Sequence, residues 1–167
     1  MISKKIVLIG DFSTGKTSLI RRFVDNQFSD KYLSTIGVKI SRKNITLDEN
    51  EIQNIIWDVE GATESKMLNA SYLLGAHGTI VVADITRESS MENMKEHIDL
   101  VRSVSDKTAV VIALNKSDLL PRDEAEKILA SLQKKFSDIK FVTLTSAKSS
   151  EGVTALFQEL NNLIMSQ

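Results

Sequence analysis

The chain contains no cysteine among its 167 residues. That excludes disulfides, thiolate metal sites and thiol catalysis, and it fits a reducing compartment, so the cytoplasm is the default location. Neither sign of charge dominates. Lys and Arg number 21 against 22 Asp and Glu, for a formal net charge of −1, which leaves no basic footprint for nucleic acid and no polybasic tail for a membrane surface. No apolar run approaches the roughly 18 residues of a membrane helix, and Ile6 to Ile9, behind Lys4 and Lys5, is too short for a signal-peptide core. Ile2 at the second position excludes N-myristoylation, and the ending Leu163-Ile164-Met165-Ser166-Gln167 offers no cysteine for a lipid. No intrinsic membrane anchor is expected. Partners should be small molecules and proteins. A chain of this length can bury roughly 70% of its unfolded surface, so residues 1–167 read as one domain.

Only one proline interrupts an alternation of strand and helix signals, which predicts a mostly parallel sheet with helices on both faces. Strands are expected at Lys5 to Ile9, Val38 to Leu47, Ile52 to Asp58, Thr79 to Asp84, Thr108 to Leu114 and Lys140 to Leu144. The first, fourth and fifth are continuous apolar runs, as central strands covered on both sides should be. The more polar second is tied to the third by Asp48-Glu49-Asn50, which predicts an antiparallel hairpin at one edge. Apolar spacing places helices near Met91 to Val104, around Ala125 to Phe136 behind Pro121, and through Val153 to Ile164. Ser29 to Gly37 has the weakest pattern and invites a loop ordered by a ligand.

Gly10-Asp11-Phe12-Ser13-Thr14-Gly15-Lys16-Thr17 follows the first strand and precedes the apolar helical residues Leu19, Ile20 and Phe23. It matches G-x-x-x-x-G-K-[ST] in the strand-loop-helix setting that motif requires. Phosphate oxygens need several N–H donors at short range, which a curled glycine-bearing loop and a helix N-terminus supply. Ser13, Thr14, Gly15, Lys16, Thr17 and Ser18 are therefore the candidate phosphate ligands. Lys16 brings mobile positive charge toward the β- and γ-phosphates, and the Thr17 hydroxyl suits Mg²⁺.

Such loops serve many nucleotides, so the base must be read elsewhere. The fifth strand ends at Asn115-Lys116-Ser117-Asp118 and the sixth at Thr145-Ser146-Ala147-Lys148, both on the sheet edge where ligands of α/β folds bind. Asp118 can accept from guanine N1–H and the exocyclic amine, a donor pair that adenine lacks. A site built on such bonds rejects the wrong base by about 10⁴ to 10⁵. Lys116 can cover the ring with its stem, Asn115 can tie the loops together, and the Ala147 N–H, between Ser146 and Lys148, can meet guanine O6.

With Thr35 and Asp58-Val59-Glu60-Gly61, these motifs make the chain resemble the Ras superfamily of small GTPases, and its Rab-like branch most. The likeness spans nearly the whole sequence. It implies the P-loop α/β/α fold, with six strands, five of them parallel, and about five helices. It also implies a monomeric switch that binds GTP or GDP with Mg²⁺ and engages effectors, exchange factors and GTPase-activating proteins through Ser29–Gly37 and Ala62–Gly75. By the same resemblance Phe28 stacks edgewise on the base, Tyr32 folds over the phosphates and Asp30 lies near the ribose. Thr35 and Asp58 join Thr17 at Mg²⁺, Asp58 through water, while the Gly61 N–H reaches the γ-phosphate; Lys16, Thr35 and Gly61 are the candidate catalytic groups.

Three departures complicate that expectation. The residue after Asp-x-x-Gly is usually a glutamine that orients the attacking water; here it is Ala62, so hydrolysis should be slow. Glu60 replaces a usual alanine, and its carboxylate can repel phosphate, orient the water in place of glutamine, or swing out. Phe12 occupies a usually small position, where it can crowd the route of an arginine finger or pack outward against the second switch. Two readings follow, a slow regulatory GTPase and a nucleotide-locked module that recruits partners without turnover. A P-loop kinase or ATPase would need lids or an adenine site for which the chain has no spare length. Members of the resembled family usually attach to membranes by a lipidated tail, whereas this sequence ends with its last helix, so either a tail is missing or the protein works in solution.

Overall fold

Alternating side chains along a strand point to opposite faces, and here both faces are apolar, so each needs its own cover. The computed structural model describes residues 1–167 and shows how that demand is met. Strand β1 (Ile2–Gly10) lies between β3 (Asn50–Val59) and β4 (Gly78–Asp84), and the sheet order is β2-β3-β1-β4-β5-β6 with β2 at Val38–Leu47, β5 at Ala109–Asn115 and β6 at Val142–Leu144. Four of the five pairings are parallel, and only β2 runs antiparallel, against β3. Helices α1 (Lys16–Asp25), α2 (Glu88–Glu92), α3 (Met94–Val104), α4 (Arg122–Lys135) and α5 (Val153–Met165) complete the fold, which is the small G-protein α/β architecture.

The alternation sorts the core into two clusters. Val7, Ile9, Val81, Ala83, Ile112 and Leu114 pack under Met94, Ile98 and Val101 of α3 and Leu132 of α4. Ile6, Leu8, Ile80, Val82, Val111 and Ala113 pack under Leu19 and Ile20 of α1 and Leu156, Phe157, Leu160 and Ile164 of α5. On this second face Phe23 and Phe157 stack at 3.9 Å between ring centroids, a contact that helps fix α1, and with it the preceding loop, against the sheet. Burying side chains of this size stabilises the fold by roughly 1.5 to 3 kcal/mol each.

Most differences from the expected elements lie at their ends. β1 begins earlier, at Ile2, because β3 offers a parallel partner as far as Ile52. The hairpin link is the two residues Asp48 and Glu49, both at positive φ, with Asn50 already paired to Leu47. Two residues with positive φ match the right-handed twist of the flanking strands. The helix expected from Met91 begins at Glu88, and Asn93 joins α2 to α3. Between β3 and β4 the backbone forms only a 3₁₀ turn at Ala70–Leu73. No helix is long and apolar enough to cross a membrane.

Candidate functional site

The chain leaves β1 at Gly10 and enters α1 at Lys16. Across that loop and the first turn, the backbone N–H groups of Ser13 through Ser18 donate to no protein acceptor. The first turn of a helix leaves its N–H groups without intrahelical partners; here the loop amides extend that run, and such donors suit a chain of anionic oxygens. Lys16 is 6% exposed, with its ammonium 3.0 Å from the Asp11 carbonyl and 3.4 Å from the Thr14 hydroxyl. Burial pulls its pKa down to about 8, against the opposing pull of Asp58 and Asp11. A buried cation bonded only to neutral oxygens lacks a contacting counter-charge, which a polyphosphate supplies. Gly15, at φ 94°, has the Asn115 side-chain amide where a Cβ would stand. Any side chain there would separate the phosphate loop from the fifth strand.

Beside the loop, the hydroxyls of Thr17 and Thr35 lie 2.7 Å apart, and they donate to Asp58 Oδ2 at 2.6 and 3.2 Å. The other Asp58 oxygen, Oδ1, is buried without a partner. Burial pushes the Asp58 carboxyl up from its ordinary range, although both hydroxyls and Lys16 act the other way. Two hydroxyls and one incompletely satisfied carboxylate form a small all-oxygen donor set. That fits Mg²⁺, which takes few protein ligands and fills its octahedron with phosphate and water. Thr17, Thr35 and Asp58 are the residues that can hold it.

On the other side of the loop lies a cavity of about 310 Å³, shared by Ser13, Gly15, Ser18, Phe28, Asp30, Tyr32, Asn115, Lys116, Asp118, Ala147 and Lys148. The sequence motifs thus meet in one place. Asn115 donates to the Thr14 carbonyl at 3.0 Å and accepts from Thr145 at 3.1 Å, binding the phosphate loop to the loop after β6. Lys116 donates to the Ser13 carbonyl at 2.9 Å and pairs with Asp84 at 2.8 Å. Burial pushes the Asp84 carboxyl up, but the bonds from Lys116 and Thr86 outweigh it and leave the group below its ordinary range. The Ser146 hydroxyl donates to Asp118 Oδ1 at 2.7 Å, which aims that exposed carboxylate. Ala147 is buried, and Lys148 stands 4.0 Å from the exposed Asp30 carboxylate.

Around the expected γ-phosphate position, the Gly61 N–H has no protein acceptor. A Cβ on Gly61 would lie 2.5 Å from Phe12 Cα, so only glycine lets the second switch approach this closely. Ala62 donates to the Gly10 carbonyl at 3.0 Å and accepts from the Phe12 N–H at 2.8 Å. This short bridge zips the start of the second switch onto the phosphate loop. The Phe12 ring meets Tyr32 of the first switch, with centroids 5.7 Å apart. Of the three orientations open to Glu60, the structure adopts the outward one, where Oε2 accepts from the Gly37 N–H and from Lys66, each at 3.0 Å. The bond from Gly37 and then that from Lys66 hold its carboxyl below the usual range.

Several supporting residues went unread in the sequence. Asp84 ends β4 on the same edge as Asp58 and Asn115, a position that could have marked it. Thr145 opens the segment after β6, but its bond to Asn115 has no signal in the sequence. Arg22, which donates to the carbonyls of Ala147 and Lys148 at 2.8 Å each, Arg87, which donates to the Phe12 carbonyl at 2.7 Å, and the Asn93 and His97 side chains, each 2.7 Å from the Asp11 carboxylate, carry no local signal. Their partners are set by tertiary packing.

Comparison with known proteins agrees with this arrangement. The Ras family model matches residues 5–166. Ras-related protein Rab-1C of Dictyostelium discoideum is 39% identical over 159 residues, covering 93% of this chain and 78% of that protein. GTP-binding protein YPTM2 of Zea mays is 37% identical over 161 residues, 93% of this chain and 77% of its own length. With a phosphate loop, a guanine-type base motif and two intervening switch segments on one six-stranded sheet, this chain belongs to the Ras family and is a Rab-like small GTPase of the Ras superfamily.

Proposed function

We propose that this protein holds GTP or GDP on the amides of Ser13 to Ser18 and on Lys16, reads guanine with Asp118, and hydrolyses GTP slowly. The observation that carries the reading is the run of six unpaired amides beside a buried, counter-ion-poor lysine. Ser146, Ala147 and Lys148 complete the base site, Asn115 and Lys116 hold the loops around it, and Phe28, Asp30 and Tyr32 close its open side. Thr17, Thr35 and Asp58 hold Mg²⁺, which when bound neutralises charge developing between the β- and γ-phosphates.

Within that frame, Lys16 donates to oxygens that gain charge as the terminal phosphoryl leaves, and the Gly61 N–H does so from the opposite side. The Thr35 carbonyl orients the attacking water. Ala62 offers no polar atom for that water, and the Glu60 carboxylate is engaged by Gly37 and Lys66, so catalysis falls to Lys16, Thr35 and Gly61. The protein works as a GTP/GDP-dependent switch for effector, exchange-factor and GTPase-activating partners that meet Ser29–Gly37 and Ala62–Gly75. It acts as a monomer in the cytoplasm and uses no nucleic acid.

A second reading, a GTP-bound module that recruits partners without turnover, is favoured by one observation. The Phe12 and Tyr32 rings meet beside the cavity that Lys16, Thr17 and Gly61 also line, where they would crowd an external arginine. Single-turnover hydrolysis of preloaded GTP separates the two. The slow-switch reading expects a rate of roughly 10⁻⁴ s⁻¹ or less, yet above the protein-free blank. It also expects Ala62→Gln to raise that rate by about tenfold. A wild-type rate equal to the blank supports the module, and no acceleration in Ala62→Gln contradicts the role assigned to that position.

A further inference from the structure

Gly37 is clamped on both sides of its residue. Its carbonyl accepts the Glu60 N–H at 2.8 Å and its N–H donates to Glu60 Oε2 at 3.0 Å. The next rung pairs Val38 with Val59, so one carboxylate extends the β2–β3 ladder into the first switch. Thr35 lies two residues upstream, within about 7 Å of chain, and its hydroxyl rests on Thr17 and Asp58. Fixing Gly37 therefore keeps Thr35 within reach of the Mg²⁺ site. Lys66 donates to the same Glu60 oxygen and brings the second switch into the clamp, but its side chain is 64% exposed, and solvent weakens such a pair. The amide bond from Gly37 is the firmer of the two.

All these bonds run between protein atoms. None involves the group that hydrolysis removes. A loop responds to the third phosphate only by the difference in contacts between its two states, and an anchor common to both states reduces that difference. We propose that Glu60 is a positioning residue that keeps Thr35 at the Mg²⁺ site in the GDP-bound as well as the GTP-bound protein, so that the first switch stays docked after hydrolysis. The proposal rests on the nucleotide-binding reading above and leaves Ala62–Gly75 to report the third phosphate. It departs from a γ-phosphate-gated switch, in which this loop is released with phosphate. Ile36, between the clamped residues, is 86% exposed, so a docked loop still presents an apolar side chain to partners in both states.

The test loads the full chain with N-methylanthraniloyl-GDP and follows release into excess GDP at graded Mg²⁺. Glu60→Ala and Thr35→Ala should each speed release by about five- to tenfold and raise the Mg²⁺ concentration needed for retention. Because Glu60 acts through Thr35, the double variant should be no faster than the faster single, and Glu60→Gln, which keeps an acceptor, should recover part of the loss. Hydrogen exchange on the wild type gives a reading free of mutation: the amides of residues 35 to 37 should be equally protected with GDP and with a non-hydrolysable GTP analogue. Release unchanged in Glu60→Ala, additive effects in the double variant, or protection seen only with the GTP analogue overturns the proposal while leaving nucleotide binding intact. A wild type that retains no label removes both.

Discussion

The loops around the base cavity and the loops of the two switches sit at the same edge of the sheet but are held in different ways. Around the base, the motif side chains are tied to other loops: Asn115 to Thr14 and Thr145, Lys116 to Ser13 and Asp84, Ser146 to Asp118, and Arg22 to the carbonyls of Ala147 and Lys148. The switches have fewer ties. Most of Ser29–Gly37 lacks regular structure, Ala62–Gly75 holds only a 3₁₀ turn, and Tyr32, Ile36 and Met67 lie exposed. Interlocked polar bonds make a rigid frame around the cavity, whereas sparse ones leave segments that a ligand or partner can reorder cheaply. The Glu60 clamp and the Ala62 bridge are exceptions, and they carry the cross-links in the region where mobility is expected.

Breaking the rigid side should have the largest effects. Asp118→Asn exchanges an acceptor for a donor facing guanine N1–H, so GDP affinity should fall by about 10⁴ while xanthosine diphosphate gains, as read by competition binding. An unchanged preference for guanine would remove Asp118 from base reading. Asn115→Ala leaves the Thr14 carbonyl and the Thr145 hydroxyl unpaired in a buried site. It should cost about 2 to 4 kcal/mol of folding stability in denaturant titrations at matched GDP saturation, and equal midpoints would show that the loops are joined by other means.

A smaller effect should appear without mutation. Lys16 titrates near 8 in the free protein, and a bound polyphosphate stabilises its ammonium, so the bound pKa lies higher. The lysine's contribution to binding is complete below the free value and is lost as pH rises through the bound one. GDP affinity, measured by fluorescence titration, should therefore be flat with respect to this group below about pH 7 and then fall by up to about tenfold per unit above 8. A flat profile to pH 10 would mean that Lys16 carries no part of the phosphate contact. The smallest effect belongs to the exposed end of the clamp: Lys66→Ala should change GDP release by less than about fivefold. A larger change would move the weight of the clamp from the Gly37 amide to the ion pair.

Much of this was legible in the sequence because it depends on local order. Val38 to Leu47 was read at its observed bounds, since a polar alternating strand before a tight turn has little freedom of register. The phosphate loop and the segments after β5 and β6 were readable because each motif sits at a strand end, and strand ends of a parallel sheet converge on one edge. Glu60 and Phe12 were visible as misfits, but their partners were not. Whether Glu60 faces phosphate or Gly37 depends on how two distant loops approach, and nothing in the spacing of either loop encodes that distance. The same holds for Arg87 on Phe12 and for the His97 and Asn93 side chains on Asp11.

At the centre of the proposed function, the unpaired amides and Lys16 grip a polyphosphate whose base Asp118 selects. Titration calorimetry of the nucleotide-free protein with Mg²⁺ present, run in parallel with GDP and ADP, tests this most directly. One-to-one binding of GDP with no measurable binding of ADP is the predicted result. Equal affinity for the two, or none for either, would contradict it.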